Sequence, residues 1–144
     1  MIKVICVGKI KEQYLKDLIN DYLKRINKYH KLDIIELKDS NKMDESKEIL
    51  KYVNSKDYII TMDINGNKLS SVELSKKIDN LLMNYSNITF IIGGSYGLHD
   101  DVKSVSNYSL SFSDLTFPHG LFRGLLLEQI YRSFKILNNE SYHK

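Results

Sequence analysis

The chain has 144 residues, 42% of them hydrophobic and 27% charged, with one Pro and no Trp. That length suits one domain with one core, spanning 1–144, and apolar content at the globular average excludes whole-chain disorder. The net charge of +3 is mildly basic, and the surplus sits early: residues 1–57 carry 13 Lys/Arg against 10 Asp/Glu, residues 58–144 carry 8 against 8.

Met1–Gly8 is short, β-branched and without a cleavage-site pattern, so it reads as a strand and not a signal peptide. No apolar run approaches the ~20 residues that cross a bilayer. The one cysteine, Cys6, can form neither an internal disulfide nor a CxxC metal site. A cytoplasmic protein without membrane contact is the expectation. Glu12–Tyr29 follows, with Tyr14, Leu15, Leu18, Ile19, Tyr22, Leu23 and Ile26 at helical spacing. Leu32–Leu37 reads as a second strand, Asp44–Val53 as a weaker helix, and Tyr58–Ile64 as a third strand ended by the turn signal Asn65-Gly66-Asn67. Ser70-Ser71-Val72-Glu73 matches a capping box that opens the next helix. Asn87–Ile92 is a fourth strand, Asp100–Val105 a short helix and Tyr108–Phe112 a fifth strand. The last helix runs from Pro118-His119 to about Leu137. Strands alternating with helices predict one α/β domain with a mostly parallel sheet flanked by helices.

The last helix carries apolar side chains nearly all round, from Leu121 to Leu137, so it needs cover on two sides. A second copy of the chain is the predicted cover, with Leu126 and Ile130 as interface positions; burial within one monomer is the alternative.

Open parallel sheets bind ligands beyond the carboxyl ends of their strands. Three segments fit: Met62–Gly66, Gly93–Gly97 and Phe112–Phe117. No G-x-G-x-x-G follows the first strand and there is no P-loop pattern, which sets aside the usual dinucleotide fold and P-loop phosphoryl transfer. His30, His99, His119 and His143 are scattered, so no metal site is expected. Cys6, inside a strand, reads as an inert core thiol. His119, Arg123, Glu128, Arg132, Tyr142 and His143 remain as polar candidates. A charge on so apolar a helix demands a partner, and the tail Ser141–Lys144 would by position alone be a frayed end.

Taken in order, these segments resemble one family. They are Val7-Gly8-Lys9, Asp63-x-x-Gly66, Ile91-Ile92-Gly93-Gly94-x-x-Gly97, Leu110-Ser111-x-Ser113 with Thr116-x-Pro118-His119, Arg123 with Glu128-Gln129-x-Tyr131-Arg132, and the terminal Tyr142-His143-Lys144. The set is similar to the RlmH family, SPOUT-class 23S ribosomal RNA (pseudouridine-N3)-methyltransferases, over the whole chain. The resemblance implies an α/β knot fold with a C-terminal trefoil knot, a homodimer, and S-adenosyl-L-methionine as methyl donor. The cofactor would be held by the positions matching Met62, Gly93, Phe112, Ser113, Asp114, Leu115, Thr116 and Phe117. Tyr142, His143 and Arg123 would stand beside the substrate base, a pseudouridine of 23S rRNA within the assembled 70S ribosome. Which of them removes the N3 proton stays open. The connection between Leu37 and Tyr58 is shorter than in many relatives, and Met62 stands where Leu is commoner. A catalytically inactive ribosome-binding module of the same fold, and a small enzyme using a nucleotide or flavin at the same sheet edge, are the competing readings.

Overall fold

The computed structural model describes residues 1–144. Five strands form one all-parallel sheet: β1 (Ile2–Val7), β2 (Leu32–Leu37), β3 (Tyr58–Lys68), β4 (Ile88–Ile92) and β5 (Tyr108–Ser111), in the spatial order β2-β1-β4-β3-β5. Five helices connect or follow them: α1 (Gln13–Asn27), α2 (Lys42–Lys51), α3 (Ser71–Asn84), α4 (Asp100–Val105) and α5 (His119–Leu137).

The period of two along the strands divides the core into two layers. Ile2, Val4, Cys6, Ile60, Ile88, Phe90 and Ile92 face α1, α3 and α5. Ile5, Val7, Ile59 and Ile91 face α2 and α4 through Ile49, Leu98 and Val102. Strands covered on both faces have to be largely apolar, and β1 and β4 are so apart from Lys3 and Thr89, both of which engage Asp57. The predicted capping box is present: the Ser70 hydroxyl accepts from Glu73 N–H at 3.1 Å and Glu73 Oε1 accepts from Ser70 N–H at 2.8 Å. At the lower end of the sheet, Lys3 Nζ lies 2.8 Å from Asp57 Oδ2. The Asp57 carboxylate also accepts from Asn87 and Thr89.

Three expectations are corrected. Asn65-Gly66-Asn67 does not end β3; the strand continues to Lys68, with a register break between Met62 and Asn67 opposite Leu110. A Cβ on Gly66 would lie 2.8 Å from the Ser109 carbonyl carbon, so glycine here lets β3 run tight against β5. Second, α2 starts earlier than Asp44, because the Asn41 side chain accepts from Asp44 N–H at 2.9 Å and caps it.

Third, much of the cover for α5 comes from its own chain. α5 packs with α1 and α3, and Leu126, Leu127 and Ile130 are fully buried within the monomer. A Cβ on Gly124 would sit 2.6 Å from Leu18 Cδ2, so the glycine admits α1. Leu126 and Ile130 are therefore core positions and not interface positions. The apolar side chains of α5 left open or partly open are Leu121, Phe122 and Leu125 near its start and Ile136 and Leu137 at its end.

Candidate active site

The loops after β3, β4 and β5 converge on a cleft of about 330 Å³ at the carboxyl edge of the sheet. Such a volume and an apolar lining with a few polar groups suit a small-molecule ligand. Ile92, Leu98 and Leu110 line it from the sheet side, joined by Met62 and Ile64 of β3. The aromatic wall is Phe112, Phe117 and Phe122, with ring centroids 5.1 Å apart for Phe112–Phe122 and 6.2 Å for Phe117–Phe122.

Local hydrogen bonds shape each loop. Leu115 N–H donates to Ser113 Oγ at 3.0 Å, and Ser111 Oγ donates to the Ser113 carbonyl at 3.1 Å, which curls the segment after β5. Asn65 N–H donates to Asp63 Oδ1 at 3.0 Å. The glycine loop is closed by Gly97 N–H on the Gly94 carbonyl at 3.0 Å. Gly97 has φ +76°, the left-handed region that glycine enters without cost. A Cβ on Gly93 would come within 2.9 Å of the Gly97 carbonyl and of Leu98 Cδ2. The demand for glycine at 93 thus comes first from closing its own loop.

Met62, Gly93, Phe112, Ser113, Leu115, Thr116 and Phe117 all line the cleft. Asp114 does not: its side chain is 83% exposed and pairs with Lys68 Nζ at 2.6 Å. Asp63, Ile64, Gly94, Ser95 and Gly97 also line the cleft, within the three segments expected at this edge, whereas Ile92, Leu98, Leu110, Ser111, His119 and Phe122 line it from outside those segments. His119 and Phe122 stand at the start of α5, so the proline that opens this helix also sets the rim; Pro118 at its N-cap was the available signal.

The three residues expected beside the substrate base are not together within one protomer. Arg123 is 3% exposed; its Nη1 donates to Glu36 Oε2 at 2.7 Å and its Nη2 to the Gly8 carbonyl at 2.8 Å. It ties α5 to the ends of β1 and β2. Tyr142 and His143 instead dock one to three turns further along α5, where a nine-residue step from Arg123 to Arg132 spans roughly 13–14 Å. The tail is not frayed. Tyr142 packs edge-on to Tyr131 at 5.0 Å and under the Arg132 guanidinium at 4.8 Å, and its hydroxyl donates to Glu128 Oε1 at 3.2 Å. Glu140 anchors the approach, accepting from Tyr29 Oη at 2.7 Å and from Lys135 Nζ at 3.0 Å.

Burial, hydrogen bonding with Tyr22 and Glu128 and the Glu128 charge hold the Tyr142 phenol well above its ordinary value, so it is a donor at neutral pH. Arg132 Nη1 lies 3.0 Å from His143 Nδ1. Arginine has no acceptor, so Nδ1 accepts and the ring proton sits on Nε2. The thiol of Cys6 is fully buried, and burial pushes it up to about 11 despite the lowering effect of nearby Arg123, as an inert core thiol requires.

An all-parallel sheet flanked by helices, with a loop-built apolar cleft at its carboxyl edge, defines an open α/β domain. A family profile described as "Predicted SPOUT methyltransferase" matches residues 1–143. "Ribosomal RNA large subunit methyltransferase H" of Clostridium botulinum is 50% identical over 157 aligned positions, covering 99% of both chains. The "Putative ribosomal RNA large subunit methyltransferase H" of Methanococcus maripaludis is 48% identical with the same coverage. Among solved structures, a probable methylase family protein from Haemophilus influenzae superposes with a TM-score of 0.57 at 9% identity, over 99% of this chain and 70% of that one. An A. aeolicus TrmH/SpoU tRNA modifying enzyme gives 0.53 at 10%, over 95% and 77%. These two share the fold. The chain belongs to the SPOUT methyltransferase family, in the RlmH group that its ordered motifs indicated.

Proposed function

We propose that this protein transfers a methyl group from S-adenosyl-L-methionine to large-subunit ribosomal RNA, at N3 of a pseudouridine in 23S rRNA, on the assembled 70S ribosome in the cytoplasm. The observation that carries the reading is the cleft itself. The loops whose motifs resemble the family's cofactor segments converge on one apolar cavity, inside a chain that matches rRNA methyltransferase H proteins end to end.

The residues present fit the cofactor. Glycines at 93, 94 and 97 leave backbone exposed to the cavity, and backbone groups of this loop and of Phe112–Phe117 can satisfy an adenine edge. Three phenylalanines exclude water from an apolar ligand surface. Bound there, S-adenosyl-L-methionine supplies an electrophilic methyl group on a sulfonium, which needs no metal to activate it. The protein's own tasks are orientation and proton removal. Tyr142, held as a phenol, is suited to donate a hydrogen bond to a base carbonyl. His143 acts as a proton acceptor only after Nδ1 leaves Arg132 or the ring changes tautomer, so the docked tail is a resting arrangement.

We further propose a homodimer formed through the open stripe Leu121, Phe122 and Leu125 with the 70% exposed Leu115 beside it, and a C-terminal half threaded as a trefoil knot. The deciding experiment incubates labelled S-adenosyl-L-methionine with 70S ribosomes and with 50S subunits lacking the modification and identifies the product nucleoside. N3-methylpseudouridine formed on 70S supports the proposal; cofactor binding without any transfer would leave an inactive module.

A further inference from the structure

Glu45, in the first turn of α2, is 4% exposed. Its Oε2 accepts from Ser40 N–H at 2.8 Å, while Oε1 is buried with no hydrogen-bond partner. Burying a carboxylate behind a single N–H is costly, and an isosteric neutral side chain would avoid that cost. What lies against the free oxygen is the glycine loop. A Cβ on Gly94 would come 3.0 Å from Oε1 and 3.3 Å from Oε2, with Val7 Cγ1 at 3.1 Å. Gly94 lines the cleft and Glu45 does not, so the glycine is the partition between carboxylate and cavity.

The loop has a donor to offer. Gly94 and Gly97 face each other in an antiparallel bridge, with Gly97 N–H on the Gly94 carbonyl at 3.0 Å, whereas Ser95 N–H has no acceptor within the chain. An unmade charge-assisted bond therefore faces an unused donor across a partition one residue thick. We propose that Glu45 is a positioning residue of the cofactor site, its free oxygen accepting the N–H of Ser95 when a bound ligand presses the loop against α2. This rests on the methyltransferase reading of the cleft. A carboxylate is required because a bond to an ionised acceptor is about twice as strong as one to a neutral amide. The cost of the bare oxygen is carried by the free protein and relieved in the complex, so folding and binding respond to Glu45 with opposite sign.

The test is Glu45→Gln, which keeps the shape and an acceptor for Ser40 N–H but removes the charge. Thermal unfolding should stay at or above the wild-type midpoint, while the dissociation constant for S-adenosyl-L-methionine, measured by calorimetry, rises about tenfold, the equivalent of 1.4 kcal/mol. A merely structural Glu45 would lower the midpoint and leave affinity unchanged, and that result overturns the proposal. Amide NMR of the wild-type protein gives a second readout independent of any variant. Ser95 N–H should move downfield on saturation with the cofactor; an unmoved amide also overturns it. Wild-type protein that fails to bind the cofactor sinks the methyltransferase reading and this proposal together. Wild-type binding with unaltered Glu45→Gln affinity sinks this proposal alone.

Discussion

Removing Ser141–Lys144 should cost both stability and methyl transfer. The deletion takes away the Tyr131–Tyr142 edge contact, the stacking of Arg132 on the Tyr142 ring and the hydrogen bond to Glu128. An aromatic pair contributes about 0.5–1.5 kcal/mol, a partly exposed cation–π contact about 0.5–1, and a hydrogen bond to a charged group about 1 or more. Because the three share Tyr142 they do not add fully, and about 2–3 kcal/mol is the expected total. At this chain length each kcal/mol moves the midpoint by roughly 3–4 °C, so thermal unfolding should begin about 6–12 °C lower. Tyr142→Phe keeps the ring contacts and should lose only about 1 kcal/mol. Circular dichroism melts give the stability arm; labelled methyl transfer to 70S ribosomes gives the other. The truncated chain should still bind S-adenosyl-L-methionine at 25 °C, with turnover abolished. A midpoint within 2 °C of wild type would refute the docking contacts (roughly half a kcal/mol at most). Wild-type turnover would refute the catalytic role of Tyr142 and His143.

Asp57→Asn leaves Lys3 facing a neutral partner in a buried setting and should destabilise by about 3 kcal/mol in urea unfolding. Burial alone would raise the Asp57 carboxyl, but hydrogen bonds from Lys3, Asn87 and Asn54 N–H, with the Lys3 charge, hold it below the usual range. Its stabilisation is therefore full above the unfolded value near ~4 and is lost as pH falls through the lower folded value, a dependence the variant should lack. Gly93→Val should weaken cofactor binding more than tenfold by calorimetry, through displacement of Gly97 and Leu98, while the far-UV spectrum is kept. Leu121→Glu with Leu125→Glu should yield folded monomer in light scattering, whereas Leu126→Glu with Ile130→Glu should not fold; a folded dimer from the first pair would reject the interface.

The strand and helix pattern was readable because it depends on neighbours. β-branched runs gave β1, β2 and β4, and Ser70 with Glu73 marked the start of α3 to the residue. That three loops would meet at one cleft was readable because a parallel sheet has only one edge where loops follow strands. What could not be read was every property set by a distant contact. Nothing near Asn65-Gly66-Asn67 announces that β5 will lie alongside and keep β3 extended. An apolar helix looks the same whether α1 and α3 or a second copy covers it. Arg123 and Tyr142 share a motif set, yet Glu36 and Gly8 draw one away while Glu128 and Arg132 hold the other. Glu45 carried no motif at all; only the folded position of Gly94 makes its carboxylate conspicuous.

The place of β1 in the sheet has a consequence for how the chain is made. One flank of β1 is filled by β2, thirty residues on, as Ile2 pairs with Leu32; the other is filled by β4, with Ile2 opposite Ile88. A nascent chain therefore carries β1 with an unpaired edge until some ninety residues have left the ribosome. Only then does β4 join, after which β3 and β5 can add outward and α5 seal the larger face. Sequence-distant parallel pairings of this kind close slowly and expose aggregation-prone edges meanwhile. Such a chain has little that is native to gain before its second half emerges. Folding of the sheet should therefore complete only after its second half is made, and its yield in cells should respond to chaperone supply and synthesis temperature more than the modest size of the protein suggests.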